Sequence, residues 1–476
     1  MKNKTLLTSI LILGHFLIAQ GQSSLSIEKI MQEPKTWVGT SPSRIFWSED
    51  GQKLYFNWNP DQNEGDSLYY ITIADPSPKK VNPQERLSLP SRFGDYNDNR
   101  TKKVYTRNGD IYIYDLKSGK ENKILDLVNN ISSVQFNSAE TLILYEMDNN
   151  LFSWEISSGY IKQHTNLKSG SDRKDPKQSE QDQWLEQAEM SMMEILTLRK
   201  ENSEERKDVR ESEEPKEPLA IYTGSKSASN FQLSPDEKYI TYTLFGRAKD
   251  SKRTDVPNYV TESGYTENLN ARAKVGTSLS SQEVWIYNVN EEKAYKVGTE
   301  DLPGIMDTPD FYQDYDKYKD QEPKARDVYT QGPIWSKDGR YAVVVFRSKD
   351  NKDRWIMKLN PEDGSSSLLD RQRDEAWVAG PGIGWSFSMG EIKWLPDNQH
   401  ILFQSEESGY SHLYTINIES GKKRALTKGK FEIYNPGISK DESMIYFESN
   451  ITHPGVRHLY RIPLSGGKPE QVSTLD

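Results

Sequence analysis

The sequence predicts an all-β fold built from repeated units of about four short antiparallel strands. Aromatic residues, which favour strands, are plentiful, with 26 Tyr, 14 Phe and 11 Trp in 476 residues. A short motif recurs along the chain, in which apolar residues precede a Ser-x-Asp-Gly turn and an alternating strand. A second pair of alternating strands, joined by a Ser-Gly-Lys or similar turn, follows the copies of this motif.

The repeated motif defines the units in chain order. Its clearest copy is FWSEDGQKLYF, residues 46–56. Further copies begin at Val134, Leu233, Ile334, Trp394 and Ile438. Second strand pairs lie at residues 110–120, 283–288, 411–422 and 458–464. Because Asp and Ser side chains in such turns bond the backbone two residues on, we expect the turn residues to have a structural role.

The units number seven in all. A single four-stranded sheet leaves both of its faces poorly covered, whereas radial stacking buries each sheet against its neighbours. The sequence therefore predicts a β-propeller of seven visible blades over residues 45–476.

One segment, residues 168–218, breaks the pattern because it is densely charged and lacks strand alternation. Apolar residues recur in it at helical spacing, namely Leu185, Ala188, Met192, Ile195 and Leu196. Ser179 with Asp182 makes a capping box. We predict an amphipathic helix over about residues 180–206, inserted into a blade and ending at Pro215. The helix either packs on the rim of the propeller or serves as a lid or docking helix.

The first 21 residues have the features of a secretory signal peptide. Lys2 and Lys4 precede an apolar run of about 14 residues, which is short for a membrane span. Ala19-Gln20-Gly21 then gives a small-x-small cleavage pattern. We therefore predict removal of residues 1–21, a leader segment over residues 22–44, and a periplasmic or secreted protein without a membrane span.

Composition argues against several kinds of site and partner. The chain has no cysteine, which excludes disulfides, thiolate metal sites and cysteine nucleophiles. Its net charge of −10 and the lack of a basic cluster argue against a nucleic-acid partner. His453 and His458 flank Pro454-Gly455 in a predicted hairpin, and no H-E-x-x-H motif accompanies them. We expect no metal and no cofactor, and we expect His412 to be hydrogen-bonded inside its blade.

Two blocks of sequence resemble a known family. They are SEESGYSHLYTINIESGKKRALTKGKFEI, residues 405–433, and ARAKVGTSLSSQEVWIYNV, residues 271–289. Both are similar to the propeller of dipeptidyl peptidase IV and its bacterial relatives in the prolyl oligopeptidase family. The block from Gly409 to Tyr414 is the most specific match, and matches run in order from about residue 45 to the C-terminus.

The resemblance implies a propeller that filters and anchors peptides, followed by an α/β-hydrolase domain with Ser, Asp and His in that order. Such a domain needs about 200 residues, yet blade motifs continue to within a few residues of Asp476. The dipeptidyl peptidase IV propeller has eight blades. We therefore expect an eight-bladed design cut short before its last blade and its hydrolase domain, or one product of a split gene.

The stretch GPGIGWSFSMG, residues 380–390, approaches the G-x-S-x-G pattern of a serine nucleophile. Ser388 stands where the second glycine belongs, and a strand and turn follow instead of a helix. We therefore interpret Ser386 as a loop residue and predict no catalytic residue in the chain.

The other residues of this stretch have structural roles on the same interpretation. Gly382, Gly384 and Gly390 let the chain turn between blades. Trp385 and Phe387 are expected to cover a blade face.

In the family, a pair of adjacent glutamates after an aromatic residue binds the free amino terminus of the substrate. The matching place here holds Trp184-Leu185-Glu186-Gln187-Ala188-Glu189, which lacks the adjacent pair. Glu186 and Glu189 share a helix face at i, i+3 and can point at one amine, or the face is simply solvated. Glu406-Glu407 is a true doublet that belongs to the blade block. Because the adjacent glutamate pair of the family is missing at this place, the sequence does not decide between an exopeptidase and an endopeptidase.

These observations predict the non-catalytic, substrate-gating propeller of an exported serine peptidase that acts on peptides. The hydrolase domain is expected in cis or as a separate product. The sequence also leaves open whether the chain forms a homodimer. The alternative is a free-standing periplasmic propeller that binds protein partners. No cluster of acids and histidines in equivalent blade positions supports a third interpretation, an enzyme active in the propeller channel.

Overall fold

The computed structural model describes residues 25–172, 179–213, 217–385 and 387–474. Seven four-stranded sheets follow one another along this part of the chain. In sheets 1 and 3–7 the neighbouring strands are antiparallel. The predicted all-β fold of seven propeller blades is confirmed.

The first three sheets precede the helical segment. Sheet 1 contains β1 (Ser43–Trp47), β2 (Lys53–Trp58), β3 (Ser67–Thr72) and β4 (Lys79–Lys80). Sheet 2 contains β5 (Asp95–Tyr96), β6 (Lys102–Arg107), β7 (Asp110–Asp115) and β8 (Lys120–Leu125). Sheet 3 contains β9 (Ser132–Phe136), β10 (Leu142–Met147), β11 (Asn150–Glu155) and β12 (Ile161–Gln163). A parallel pair, β13 (Asn166–Lys168) and β14 (Ala220–Tyr222), follows them.

Four more sheets follow. Sheet 4 contains β15 (Ser227–Leu233), β16 (Tyr239–Gly246), β19 (Ser281–Asn288) and β20 (Lys293–Lys296), and the hairpin β17 (Arg253–Asn258) and β18 (Glu267–Ala273) lies between β16 and β19 in the chain. Sheet 5 contains β21 (Val328–Trp335), β22 (Ala342–Ser348), β23 (Asp353–Leu359) and β24 (Ser366–Arg373). Sheet 6 contains β25 (Ile392–Trp394), β26 (His400–Ser405), β27 (His412–Asn417) and β28 (Lys423–Ala425). Sheet 7 contains β29 (Ile433–Ile438), β30 (Met444–His453), β31 (Val456–Pro463) and β32 (Glu470–Gln471).

Helices occupy a small part of the described residues. They are α1 (Ile27–Ile30), α2 (Pro83–Ser88), α3 (Glu180–Met192), α4 (Glu194–Glu213) and α5 (Asp316–Lys319), with 3₁₀ helices at Pro34–Thr36 and Asp310–Asp314. None of them is long and apolar enough to cross a membrane. The predicted signal peptide, residues 1–21, lies outside the described residues.

The chain divides into two compact units. The first comprises the described part of residues 1–94 together with residues 98–103 and 112–122, and it contains sheet 1. The second comprises residues 95–97, 104–111 and 123 onwards, and it contains sheets 3–7. Strands of sheet 2 contribute residues to both units.

In the second unit, apolar cores lie between consecutive sheets. Strand β22 shows how the period of two creates them, because successive side chains point to opposite faces. Val343 packs in the core shared with Ile401 of sheet 6. Val344 and Phe346 pack in the core shared with Val284 of sheet 4. Each fully buried side chain of this size contributes about 1.5–3 kcal/mol, so the stacking of sheets stabilises the fold.

The repeated turn motif has the structural role predicted for it. The Ser hydroxyl donates to the Asp carboxylate at 2.6 Å in Ser48–Asp50, 2.6 Å in Ser234–Asp236, 2.8 Å in Ser336–Asp338 and 2.5 Å in Ser439–Asp441. A backbone N–H at or directly before the start of the next strand then donates to the same hydroxyl oxygen at 2.9–3.0 Å. These side chains are therefore committed to closing the turns.

The segment predicted as one helix inside a blade is two helices outside the seven sheets. Helices α3 and α4 lie in the chain between β13 and β14, which connect sheets 3 and 4. Ser179 and Asp182 form the predicted capping box. Met193 interrupts the helix because its backbone is extended, with φ −130° and ψ 97°. No residue of α3 is buried, and Trp184 is 66% exposed, so α3 has no face packed on a sheet.

Candidate functional site

The loop of residues 374–391, here called the glycine-rich loop, joins β24 to β25 and carries the stretch singled out in the sequence. Four of its glycines have positive φ, namely Gly380 (+109°), Gly382 (+68°), Gly384 (+83°) and Gly390 (+79°). A Cβ atom at Gly384 would overlap the carbonyl oxygen of Ser388. Only glycine fits this backbone without strain, so the predicted turning role is confirmed. Ser386 lies outside the described residues.

Two buried arginines attach the glycine-rich loop to sheet 5. Arg347 of β22 and Arg354 of β23 lie directly opposite each other and are only 2% and 1% exposed. Arg347 donates to the carbonyl oxygen of Gly384 at 3.3 Å and also to that of Val378. Arg354 donates to the carbonyl oxygen of Met389 at 2.6 Å. The two guanidinium groups therefore fix the loop at its start, its middle and its end.

The arginine pair depends on the loop as much as the loop depends on it. Like charges directly opposite on a sheet are unfavourable, and burial lowers the pKa of Arg354 to about 10. Their acceptors in the described residues are carbonyl and amide oxygens, including the side-chain oxygen of Gln372 at 3.1 Å from Arg354 Nη1. Removing the acceptors of a buried charge costs about 3–5 kcal/mol. The loop is thus held in one position.

Three aromatic side chains of the loop face outward. Trp377 is 62% exposed, Trp385 is 46% exposed and Phe387 is 81% exposed. The guanidinium carbon of Arg347 lies 4.7 Å from the centre of the Trp385 ring, which fixes one face of that ring by a cation–π contact. The expectation that Trp385 and Phe387 cover a blade face is wrong for Phe387, which is 81% exposed, whereas Trp385 is about half-exposed and lies against Arg347 of sheet 5.

A half-buried carboxylate lies beside the loop. The side chain of Glu406 packs so close to Gly380 that a Cβ atom there would overlap it. Burial raises the pKa of Glu406, and the nearby carboxylates of Glu432 and Asp374 raise it further. Glu407 is different, because it pairs with Lys423 at 2.5 Å. Glu406 is therefore a carboxylate whose negative charge an incoming cation would stabilise.

The geometry suits the binding of a peptide better than a covalent reaction. A fixed backbone with exposed aromatic rings offers apolar contact at a low entropic cost. A carboxylate with a raised pKa that packs against Gly380 of the same loop favours an ammonium group. Two buried polar atoms at the base of the loop, Arg354 Nε and Gln404 Oε1, have no hydrogen-bond partner among the described residues.

The anchoring glutamates predicted from the sequence lie elsewhere, on α3. Glu186 is partly exposed and pairs with Lys200 of α4 at 2.8 Å. Glu189 is exposed. They share the helix but belong to a different part of the chain from the glycine-rich loop, and their anchoring role stays a prediction.

The histidines lie in the structural environments that the sequence predicted, one inside a blade and two in a hairpin. His412 is buried, with Nδ1 at 3.0 Å from Thr427 Oγ1 and Nε2 at 3.0 Å from the carbonyl oxygen of Gly429. His453 and His458 belong to the hairpin of β30 and β31. Within the described ranges no three His, Asp or Glu side chains are grouped to hold a metal ion.

Sequence reasoning missed Arg347 and Arg354, and it assigned Glu406 to the blade block rather than to a site. The signal was present for the arginines, since each lies beside a run of apolar residues in its strand, AVVVF before Arg347 and WIM after Arg354. A charged residue inside a fully buried strand needs specific partners. Glu406 did carry a signal, the Glu406-Glu407 doublet, but its surroundings come from three separate segments that the sequence did not bring together.

The family can now be stated from a comparison of sequences. The model of the family described as the dipeptidyl peptidase IV (DPP IV) N-terminal region matches residues 225–476, which are 252 of the 476 residues. The chain belongs to this family. Sheets 4–7 and the glycine-rich loop of this DPP IV N-terminal region lie within the matched residues. The predicted resemblance is confirmed.

Individual proteins that are similar to this DPP IV N-terminal region are named dipeptidyl peptidases. A probable dipeptidyl peptidase 4 of Aspergillus fumigatus is 31% identical over 121 residues, 25% of this chain and 13% of that protein. The dipeptidyl peptidase 4 of Trichophyton equinum is 26% identical over 133 residues, 27% of this chain and 16% of that protein. The crystal structure of Porphyromonas gingivalis dipeptidyl peptidase 4 matches with a TM-score of 0.53 and 13% identity, over 95% of this chain and 56% of that one. The chain thus spans little more than half of that solved chain, whose likeness shows the shared fold.

Proposed function

We propose that this chain is the substrate-anchoring propeller region of an exported serine peptidase that acts on peptides. Membership of the DPP IV N-terminal region family supports this, as do relatives that are named dipeptidyl peptidases. The observation that carries the proposal is the glycine-rich loop, which two buried arginines hold so that Trp377, Trp385 and Phe387 stay exposed. Export rests on the sequence of residues 1–21.

Bond cleavage is assigned to an α/β-hydrolase domain, supplied in cis or as a separate product. That domain would bring the serine, aspartate and histidine of the family, and this region would hold the peptide in reach of them. Residues of the seven sheets have binding or structural roles in this scheme.

The amino terminus of the peptide is proposed to bind a carboxylate. Glu186 and Glu189 are the candidates from the sequence, and Glu406 is the candidate from the structure. Glu406 is favoured because Glu186 already pairs with Lys200 at 2.8 Å, whereas the neighbours that raise the pKa of Glu406 are carboxylates.

Calorimetric titration of the purified chain with short peptides tests the proposal. Peptides of about six residues, with a free or an acetylated amino terminus, are compared on the wild type and on Phe387→Ser. We expect Phe387→Ser to weaken both peptides about three- to ten-fold, since a truncated aromatic contact costs about 1 kcal/mol or more. Glu406→Gln should weaken only the peptide with the free amino terminus.

Matched variants separate binding from unfolding. Phe93→Ser removes an aromatic side chain that is 68% exposed elsewhere, and it should bind peptides as the wild type does. The pair Glu186→Gln with Glu189→Gln tests the sequence-derived anchor in the same titration. If Phe387→Ser and Phe93→Ser bind equally well, the loop is not the peptide site. Binding of a folded protein partner without any peptide binding would instead support the free-standing propeller.

A homodimer is proposed through the hairpin of β17 and β18. This hairpin lies outside the seven sheets and pairs with no further strand among the described residues, so its edges are open. Val256 and Leu269 are directly opposite in it and are 38% and 52% exposed. An exposed edge with apolar side chains is a template for pairing with a second chain.

A further inference from the structure

Four aromatic rings cluster on the segment that precedes sheet 5. The aromatic cluster, as it is called here, consists of Phe311 and Tyr312 of the 3₁₀ helix Asp310–Asp314, Tyr318 of α5, and Tyr315 between the two helices. Tyr312 and Tyr318 stack with ring centres 4.6 Å apart, and Phe311 meets Tyr312 edge-on at 5.0 Å. Tyr315 meets Tyr318 edge-on at 6.1 Å. The rings therefore support one another and form a preorganised surface.

The aromatic cluster is open to solvent rather than part of a core. Phe311 is 42% exposed and Tyr315 is 55% exposed. Two ammonium groups of the chain already lie on rings of this cluster. Lys317 Nζ is 4.4 Å from the centre of Tyr318, and Lys352 Nζ is 6.0 Å from the centre of Phe311. The ring faces are thus accessible to cations, which is what a cation–π site requires.

Lys352 also connects the aromatic cluster to the glycine-rich loop. Its ammonium group donates a hydrogen bond to the carbonyl oxygen of Glu375, at the start of that loop. Arg371, near the end of β24, pairs at 2.6 Å with Asp307, which precedes the aromatic cluster in the chain. The aromatic cluster and the loop are therefore neighbours at one end of sheet 5.

The positively charged side chains near the aromatic cluster are already paired with carboxylates. Arg326, Arg371 and Arg373 all contact the fully buried Asp353 at 2.7 Å. Three further carboxylates bind the same group of cations, namely Asp307, Asp350 and Glu375. Four carboxylates thus face the three arginines and Lys352.

The remaining charges of the surface are mainly negative. The segment of residues 308–322 contains five acidic residues, Asp310, Asp314, Asp316, Asp320 and Glu322, and two basic ones, Lys317 and Lys319, of which Lys319 pairs with Asp316. Asp310 and Asp314 flank the rings and are exposed. On the loop side, Asp374 and Glu406 add two more carboxylates. A surface of exposed rings ringed by carboxylates is complementary to a positively charged, flexible ligand.

We propose that the aromatic cluster and the glycine-rich loop form one binding surface for peptides with lysine or arginine side chains. The basic side chains lie on the rings of Phe311 and Tyr315 and among the carboxylates of Asp310 and Asp314, while the peptide backbone continues along the loop. This inference rests on the proposed peptide-binding function and adds the class of peptide.

Fluorescence anisotropy with three labelled octapeptides tests the inference. The peptides alternate Ala with Lys, Glu or Ser, and binding to the full chain is measured at low and at high salt. The lysine peptide should bind at least about ten-fold more tightly than the glutamate peptide at low salt, and added salt should reduce this ratio.

Surface variants locate the binding. Tyr315→Ser should weaken the lysine peptide about two- to five-fold, which is the usual size of an exposed cation–π contact. The double variant Asp310→Asn with Asp314→Asn should weaken it and flatten its salt dependence. Tyr160→Ser, at a tyrosine that is 65% exposed, and Asp250→Asn with Asp255→Asn are the matched controls. All these side chains are exposed, so melting temperatures should stay at the wild-type value.

The outcomes separate this inference from the function on which it rests. Equal binding of the lysine and serine peptides, lost in Phe387→Ser, would keep the peptide-binding function and overturn the basic specificity. Variants of the aromatic cluster that behave as their controls would overturn the proposed place of binding. Failure of all three peptides to bind would overturn both proposals.

Discussion

At the scale of single residues, the fourth position of each repeated turn has a left-handed backbone whatever its side chain. Glycine occupies it at Gly51 and Gly339, with φ of +69° and +72°. Glutamate occupies it at Glu237 and Glu442, with φ of +58° and +57°. A side chain costs about 1–2 kcal/mol in this conformation, so the hydrogen bonds of the turn must impose it.

Replacing Glu442 by glycine should therefore stabilise the chain. The removed strain is partly offset by the larger entropy that glycine loses on folding, so we expect a gain of about 0.5–1 kcal/mol. Urea denaturation measures it. Glu442→Ala keeps the strain and should bring no gain; an equal gain in both variants would mean that the carboxylate, and not the backbone, is the source.

Glu406 should make stability depend on pH. Its pKa is raised in the folded state from the ordinary value of 4.5, so the folded chain holds this proton more tightly than the unfolded chain. Stability from this group is present below pH 4.5 and is lost as the pH rises through the folded pKa. Glu406→Gln should thus stabilise the chain at pH 7 and lose this advantage towards pH 4. Melting temperatures of both proteins across this range check the sign, and a constant difference would contradict it.

At the scale of elements, the same strand pair serves packing and function. Strands β22 and β23 place apolar side chains in the cores on both faces of sheet 5, and their ends place Arg347 and Arg354 against the glycine-rich loop. The loop needs no regular structure of its own, because the arginines bind its carbonyl groups. A rigid sheet carrying a fixed, exposed loop is the usual arrangement of a binding site.

The hairpin of β17 and β18 is the element expected to hold a second copy of the chain. Leu269→Glu places a charge on its exposed face and should shift the chain from dimer to monomer, because a buried unpaired charge is costly in an interface. Sedimentation velocity measures the mass. Leu279→Glu, at a leucine that is 55% exposed outside the hairpin, should leave the mass unchanged. A wild-type chain that is monomeric at all concentrations would exclude this dimer.

At the scale of the whole molecule, the sheets of the second unit depend on one another. Sheets 4, 5 and 6 each contribute to a core on both faces, so none of them is stable alone. The proposed function also depends on more than one part, since binding is proposed for this region and cleavage for a hydrolase domain. Fold by itself does not decide the activity of such a region.

The 476-residue chain by itself is expected to bind peptides without cleaving them. A chromogenic dipeptide substrate, followed by absorbance, should show no turnover by the chain. Ser386→Ala serves as the control and should not change this result. Turnover that a serine-directed phosphonate inhibits, and that Ser386→Ala abolishes, would assign catalysis to this chain.

The sequence by itself determined the repeated four-stranded units, the role of the Ser-x-Asp turns, the capping box at Ser179 and the family. These features depend on residues close together in the chain, through the period of two in strands and through local hydrogen bonds. Even there, the break between α3 and α4 at Met193 was not predictable, because helical spacing continues across it.

Only the tertiary structure decided the site. Arg347, Arg354 and the aromatic cluster come from separate segments that sheet 5 brings to the glycine-rich loop, whereas Glu406 follows β26 of sheet 6 and packs against Gly380 of that loop. The exposure of Phe387 and the packing of Trp385 on Arg347 were likewise decided by the tertiary structure. Long-range packing determines how deeply each side chain is buried and which charges surround it. Neither property can be read from residues that are close together in the chain.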